Sequence, residues 1–435
     1  MEWQDKKIHF IGIKGIGMLG LAQLLREEGA SVSGSDTEEE FPSDFILKRL
    51  GIEVKLFSEA NITSRIELVI YSSAYGEEHP ERSKAKSLGI PELSYAEALS
   101  DFGRNKKNIV VTGTHGKTTT CALLADILRK GGLDPVALVG GVVRRWASTV
   151  LKGNSDLFVI EGDEYQEKFS LFRPYALVIT SLDYDHSDYY PTKEAYREAF
   201  STYVSRFPEL TPTCAKEDAQ RIGLERYQSP GDEDQRILVS STFKLPGEAL
   251  RKDALLAIRQ ARELGVKEEK IVTALSEFEG VERRLDLLTP EDAEILVMND
   301  YAHHPDEITA TLAALREKYP GRIIIVIFQP HTYSRTKTFL EEFAKALAQA
   351  DEIFLADIYG SARENKGSIR IEDLLEETKK RNPHVTLFRA SEQENFSKRF
   401  QDRKNLLLIT MGAGDIWQQA LRIRELLAGR KKRLN

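Results

Sequence analysis

At 435 residues the chain is too long for one ordinary core, and a prior of about 150 residues per domain predicts three. Its 41% hydrophobic and 30% charged residues exclude a disordered or membrane-embedded chain, and a net charge of −7 argues against nucleic acid as the main partner, since phosphate backbones are met by basic stripes. Two cysteines, Cys121 and Cys214, cannot form a disulfide framework or zinc site, and no apolar run approaches the roughly 20 residues of a membrane span or reads as a secretion signal; a reducing cytoplasm is the expectation.

From Lys7 to Asp101, β-type runs (Ile8 to Ile11, Leu68 to Tyr71) alternate with helical ones, such as Ile16 to Glu28 with Met18, Leu21 and Leu25 on one face, giving a βαβ, Rossmann-like domain over residues 1–105. A glycine loop, Gly12-Ile13-Lys14-Gly15-Ile16-Gly17-Met18, follows the first strand, and Asp36 ends the next. That layout suits a nucleotide diphosphate on a helix N-terminus. Lys14 stands where the dinucleotide fingerprint has its middle glycine, so a purely structural turn stays open.

The polar stretch 104–108 separates this domain from a second one at 106–288. It begins with a strand at Ile109 to Val111 that runs into Gly113-Thr114-His115-Gly116-Lys117-Thr118-Thr119-Thr120 and then a helix carrying Leu124, Ile127 and Leu128. In such a loop the backbone amides hold phosphates, Lys117 reaches the terminal phosphates and the Thr118 hydroxyl ligates Mg²⁺. The first glycine of the standard loop would fall on Val111, so this is a shortened variant. Further strands at Leu157 to Ile160 and Leu177 to Thr180 end in Glu161-Gly162-Asp163-Glu164 and Asp183-Tyr184-Asp185-His186. Strand C-termini of one parallel sheet share an edge, so a carboxylate and a histidine there can serve Mg²⁺, or the acids can be solvated helix caps. A helix is expected near Lys193 to Val204, a loop-rich stretch at 207–241, and helices at Ala249 to Leu264 and Glu268 to Phe278.

The third domain, 289–435, alternates strand and helix: Ile295 to Met298, Ile323 to Phe328, Phe339 to Leu347, Ile353 to Ala356, Leu406 to Thr410, then a helix to about Leu427. Such alternation predicts a parallel sheet covered on both faces. Two of its strands end in Asp300-Tyr301-Ala302-His303-His304-Pro305 and Gln329-Pro330-His331-Thr332-Tyr333-Ser334-Arg335-Thr336, suited to a zwitterion or a phosphorylated intermediate.

These segments, in this order, resemble the Mur ligases, which build the peptide of bacterial cell-wall precursors. Gly113 to Thr120, Asp300 to Pro305, Phe328 to Thr336 and the segment 357–364 look most like the branch that adds L-alanine. The resemblance implies three α/β domains: an N-terminal Rossmann-like one, a P-loop ATPase-like central one and a C-terminal Rossmann-like one that closes over the site. It implies that ATP phosphorylates the carboxylate of UDP-N-acetylmuramate and that L-alanine displaces phosphate, in a monomer or weak homodimer.

On the same footing UDP-sugar contacts are implied for Gly12, Lys14, Gly15, Ile16, Gly17, Met18, Asp36, Ser72 and Ser73. ATP falls to Gly113, Thr114, His115, Gly116, Lys117, Thr118 and Thr119, and Mg²⁺ to Thr118, Glu164 and His186. Amino-acid contacts fall to Tyr301, His303, His304 and Arg335; Lys117, Glu164, His186, His304 and Arg335 are the implied catalytic set.

The sequence departs from the family in two places. The stretch 207–241 is shorter than usual, and the adenine-holding His-Asn pair and further Asn are replaced within Gly247-Glu248-Ala249-Leu250-Arg251-Lys252-Asp253. Ala249 has no side-chain donor and Asp253 only accepts. Two other readings are therefore kept: a recycling ligase that attaches a murein tripeptide to the same nucleotide sugar, which Glu161 to Tyr165 also resembles, and a non-catalytic nucleotide-sugar-binding homologue.

Overall fold

The structure, a computed structural model, describes residues 2–187, 189–360, 367–389, 399–400 and 403–431, with side chains up to 427. Its strands form three separate sheets. In the first, β1 (Lys7–Ile11), β2 (Ser31–Asp36), β3 (Val54–Leu56), β4 (Leu68–Tyr71) and β5 (Glu92–Ser94) lie in the order β3-β2-β1-β4-β5, all parallel. Strand β1 is paired on both edges and buries Ile8, Phe10 and Ile11, the apolar run that a doubly covered parallel strand requires.

The second sheet takes β6 (Lys107–Thr112), β7 (Val136–Val143), β8 (Ser148–Leu151), β9 (Leu157–Gly162), β10 (Pro174–Ile179) and β11 (Thr213–Cys214) in the order β11-β10-β6-β9-β7-β8. Only β8 runs antiparallel, folding back on β7 as a hairpin that the sequence pattern did not reveal. The helix Ile16–Glu27 of the first sheet lies on this hairpin. A Cβ on Gly20 would come within 2.8 Å of Thr149 Oγ1 and 3.2 Å of Leu138 Cγ, so the missing side chain lets helix and hairpin touch. Met18, Leu19, Leu21, Leu24 and Leu25 are buried all round this helix, and one apolar cluster runs from them into Leu138, Phe158 and Leu177.

The expected loop-rich stretch at 207–241 instead holds β11 and the helices Lys216–Arg221 and Asp232–Ser240. Its prolines and its two glycines, Gly223 and Gly231, fall between elements. Gly231 caps the second helix, where its N–H donates to Asp234 Oδ2 at 2.9 Å. Elements this short carry too few turns for a period to show.

The third sheet contains β12 (Asp286–Leu287), β13 (Ile295–Asp300), β14 (Ile323–Phe328), β15 (Glu352–Leu355), β16 (Val385–Leu387) and β17 (Leu406–Met411), ordered β12-β13-β17-β14-β15-β16, with only β12 antiparallel. It starts at Asp286, just before the boundary expected at 288. Strand β14 shows why the apolar run is continuous: Ile324, Val326 and Phe328 pack with the helices Pro305–Lys318 and Leu340–Leu347, while Ile325 and Ile327 pack with the helix Trp417–Lys431.

Contacts divide the chain into two units. The first holds residues 1–185, 189–244 and 252–279, and so both of the first two sheets; the second holds 186–188, 245–251 and 280–435. Three sheets thus make two units, because the helix-on-hairpin packing at Gly20 merges the first two cores. Among the described residues no helix is long and apolar enough to cross a membrane.

The first sheet also encloses a polar network. The ring nitrogens of His9 lie 2.9 Å from Ser33 Oγ and 3.2 Å from Ser35 Oγ, and Ser35 donates in turn to Glu81 Oε2 at 2.5 Å. Glu81, fully buried, also accepts from Ser58 N–H at 3.0 Å and Asn61 Nδ2 at 2.7 Å. Burial disfavours its charge, but these donors outweigh burial and hold its pKa below the ordinary 4.5. A depressed carboxyl pKa stabilises the fold above the unfolded value and loses that contribution as pH falls through the folded value. Glu81→Gln should therefore cost about 2 kcal/mol at pH 7. Urea melts should show the gap from wild type narrowing below pH 4.5; a gap that stays constant on acidification would remove the charge from the account.

Candidate functional site

Strand β6 ends at Thr112 and the chain turns through Gly113 (φ 128°) and Gly116 (φ 81°) before the helix Lys117–Lys130. A Cβ on Gly113 would stand 2.5 Å from Thr180 Oγ1, and one on Gly116 would stand 2.1 Å from Asp253 Oδ1. Both positions need the left-handed backbone and the empty space that glycine alone supplies. The loop is pinned to the end of β10, where Thr114 N–H donates to Ser181 O at 3.1 Å and His115 N–H to Ser181 Oγ at 2.9 Å.

Lys117 places its ammonium 2.9 Å from Glu164 Oε2 and 3.0 Å from Thr114 O, at the mouth of the helix N-terminus. Burial works against its charge, yet Glu164, helped by Asp163 and Glu161, more than offsets this and raises the Lys117 pKa. The lysine is a charged cation held ready beside the loop. Thr118 meets a different acid: its hydroxyl donates to Glu161 Oε2 at 3.2 Å, and Glu161 Oε1 accepts from Gly140 N–H. Thr119 is buried under the loop.

Of the expected metal set, Thr118 is therefore joined by Glu161, while Glu164 is engaged by Lys117. His186 has a left-handed backbone, φ 56°, and belongs to the second unit. The Thr118 hydroxyl and the Glu161 carboxylate, in contact with each other, are oxygen donors of the kind Mg²⁺ takes.

In the first glycine loop Gly12 (φ 83°) lies under Tyr75, whose ring would be 2.6 Å from a Cβ there, and Gly17 lies under Tyr95, 2.7 Å away by the same measure. Gly15 caps the helix and is exposed, with Ile16 and Gly17 half-buried, so this N-terminus is open to an anion, whereas Met18 is buried. Lys14 turns inward: its ammonium donates to Glu39 O at 2.7 Å and Thr37 O at 3.1 Å and lies 3.3 Å from Asp44. Asp36 accepts from the N–H groups of Lys14 at 2.7 Å and Thr37 at 2.8 Å, and burial raises its pKa. Both residues shape the loop. Ser72 follows β4, with its N–H on Ile11 O at 3.0 Å, and Ser73 beside it is exposed.

The second unit gathers its own constellation where β13, β14 and β17 end. Tyr301 lies between two guanidiniums, Arg283 at 4.8 Å and Arg284 at 5.0 Å from its ring centre. The residue pair had not been singled out in the sequence, although an Arg-Arg doublet just after Gly280 was a signal available there. Arg283 (φ 61°) also donates to Gly412 O at 2.8 Å and Gly414 O at 3.2 Å, and burial lowers its pKa. His303 packs edge-on to Tyr301 at 5.2 Å and has Nδ1 3.3 Å from Glu307. His304, nearly buried against Phe339, caps the helix Pro305–Lys318 by accepting from Asp306 N–H at 3.3 Å. Arg335 sits in the short helix Tyr333–Thr338, capped by Thr332. Residues 361–364 of the segment 357–364 lie outside the described residues. Asp253, in the altered adenine segment, is nearly buried against Gly116 in the first unit.

Three family models match in series: Mur ligase family, catalytic domain over residues 7–107; Mur ligase middle domain over 111–223; and Mur ligase, glutamate ligase domain over 283–414. A UDP-N-acetylmuramate--L-alanine ligase of Desulfitobacterium hafniense is 35% identical over 441 residues, which cover 94% of this chain and 98% of that one. The enzyme of the same name from Carboxydothermus hydrogenoformans is 36% identical, covering 94% of each. Among solved structures, the UDP-N-acetylmuramate-alanine ligase of Thermotoga maritima superposes with a TM-score of 0.80 at 28% identity over 99% of this chain and 100% of that one. A murein peptide ligase of Psychrobacter arcticus shares the fold, with a TM-score of 0.70 at 22% identity over 96% and 98%.

The geometry at Gly116 gives a direct test of the phosphate loop. Gly116→Ala must adopt φ 81° and force its methyl onto Asp253, a strain of roughly 1–3 kcal/mol before any clash. Calorimetric titration with ATP should show affinity reduced at least about tenfold in a protein that still folds, with the melting temperature lowered by a few degrees. Unchanged affinity would mean that nucleotide phosphates do not use this turn.

Proposed function

The chain belongs to the Mur ligase family, and we propose that it forms the amide bond between the carboxylate of UDP-N-acetylmuramate and the amine of L-alanine, with ATP as the driving substrate. The observation that carries this reading is identity of 35% to a ligase of that name over nearly the full length of both chains. The phosphate loop, with a charged lysine and an adjoining hydroxyl-carboxylate pair, supplies matching chemistry.

In the first step a substrate carboxylate oxygen bonds to the γ-phosphorus, the bond to the bridging oxygen breaks, and ADP leaves. In the second the alanine nitrogen, having lost a proton from its ammonium, attacks the acyl carbon and inorganic phosphate departs. The first step is mostly positioning and charge neutralisation. Lys117, delivered by the loop, offsets charge on the terminal phosphoryl group, and Glu164 holds the lysine there until nucleotide arrives. Mg²⁺ held by Thr118 and Glu161 would neutralise the remaining phosphate charge. The helix N-terminus at Gly15 to Gly17 takes the diphosphate of the UDP sugar. His304, Arg335, Tyr301 and His303 are the groups we assign to alanine and the acyl phosphate, with Arg283 and Arg284 fixing the Tyr301 ring.

Phosphate release by purified protein with Mg-ATP and UDP-N-acetylmuramate should depend on L-alanine and fall by roughly a thousandfold in Lys117→Ala. Release driven by L-alanyl-γ-D-glutamyl-diaminopimelate but not by L-alanine would reassign the chain to recycling. The two acids separate in a magnesium titration. Glu161→Gln should raise the Mg²⁺ needed for half-maximal rate about tenfold, the loss of one metal ligand, while Glu164→Gln should lower kcat at saturating Mg²⁺. The opposite pattern would return the metal to Glu164.

A further inference from the structure

A cavity of about 610 Å³ opens away from both glycine loops, between the helix Ile16–Glu27, the C-terminal half of the helix Lys117–Lys130 and the β7–β8 hairpin. That volume is in the range that holds metabolites. Five cations line it: Arg49, Arg129, Lys130, Arg145 and Lys152. They are drawn together by protein contacts that leave them at the rim. Lys130 and Arg145 share Glu277 at 2.8 and 2.7 Å, Lys152 reaches Glu27 at 2.9 Å, and Arg129 and Arg49 donate to the carbonyls of Lys152 and Ala147.

Inside this rim stands Asp126, only 7% exposed. Its Oδ1 accepts from Trp146 Nε1–H at 2.7 Å, while its Oδ2 has no hydrogen-bond partner among the described residues. A buried carboxyl oxygen with no donor from the protein costs roughly 1–3 kcal/mol, and the open cavity beside it lets a donor on a ligand reach it. The Trp146 indole, half-buried and fixed by Asp126, provides a flat wall for a ring. Ala147 holds the next turn at φ 48°, a left-handed backbone that turns the chain back into β8.

From these features we infer that the cavity is a second ligand site, for a small phosphate monoester that carries a hydroxyl or N–H donor on a ring. The phosphate lies among Arg49, Arg129 and Lys152, the ring covers Trp146, and the donor meets Asp126 Oδ2. Nothing in the phosphate loop or in the first glycine loop is used. The site therefore stands or falls independently of the ligase reaction.

Trp146 is a local reporter once the other two tryptophans are removed as Trp3→Phe and Trp417→Phe. In that full-length background, glucose 6-phosphate and UMP are titrated against tryptophan fluorescence, with inorganic phosphate and glucose in parallel arms. A saturable change with at least one ester is expected, weakened about tenfold or more by Arg129→Glu and by Asp126→Asn, the loss of one charge-assisted contact each. Which ester responds separates a sugar ring from a nucleoside. Inorganic phosphate should bind more weakly and be indifferent to Asp126→Asn, and glucose should give no change. Arg129 is exposed and Asp126→Asn is isosteric, and melting curves check that both variants fold. No saturable response to either ester, a response that survives Arg129→Glu, or equal binding of inorganic phosphate would overturn the proposal.

Discussion

Strand β6 is hydrogen-bonded along both edges, and the register of those two ladders is the constraint on which the phosphate site depends. Val111 pairs with Glu161 and Thr112 with Gly162 on one side, while Val111 pairs with Val178 and Thr112 with Ile179 on the other. Three strands therefore end at one level, and the residues just past their ends must meet: Gly113, Asp163 and Ser181. A slip of one residue in the β6–β9 ladder would turn Glu161 to the other face of the sheet, and one in the β6–β10 ladder would displace Ser181. The loop amides would lose Ser181, and Thr118 would lose its carboxylate. Burial of Val110, Val111, Val159 and Val178 within the doubly covered sheet makes such a slip costly, so an apolar core fixes the geometry of a polar site.

The electrostatics of the site follow from the same placement. Glu161, Asp163 and Glu164 crowd onto one strand end, and a cluster of carboxylates this tight needs compensation. Lys117 supplies part of it through Glu164, and Lys168 holds Asp163 at 2.9 Å, keeping its pKa below the usual carboxylate range despite burial. Glu161 accepts from two neutral donors, the Thr118 hydroxyl and the Gly140 N–H. Asp253 adds another negative group against Gly116.

Much of this was legible in the sequence because the strongest signals are local. The strand Ile323–Phe328 and the helix after Gly116 are single uninterrupted patterns, and each lies where its pattern places it. Glu161 and Glu164 were harder to separate. Both fall in one four-residue acidic run, and the one that reaches Thr118 is decided by β9 register, a long-range property. The β7–β8 hairpin was missed for a related reason. Gly140 and Gly141 interrupt the apolar run inside β7, the turn at Arg144–Trp146 follows, and the hairpin is held by packing on a helix more than a hundred residues earlier in the chain. His304 and Lys14 also make contacts that no local pattern shows: His304 caps a helix, and Lys14 ties down the loop at 37–44.

The merger of the first two sheets gives the stretch 207–241 a shared core to close. The first unit draws its core from both sheets, through Gly20 against Thr149 and Leu138, Phe102 edge-on to Phe158 at 5.2 Å, and Ser148 donating to Gln23 at 2.9 Å. Burial shared in this way raises the fraction of apolar surface removed from water beyond what either domain would reach alone. Within 207–241 the elements close this core: Cys214 and Ala219 are buried in it, Thr213 donates to Gln260 at 3.0 Å, and Arg262 ties Asp234 at 2.7 Å. The phosphate loop, on the opposite side of β10 from β11, owes its geometry to β6.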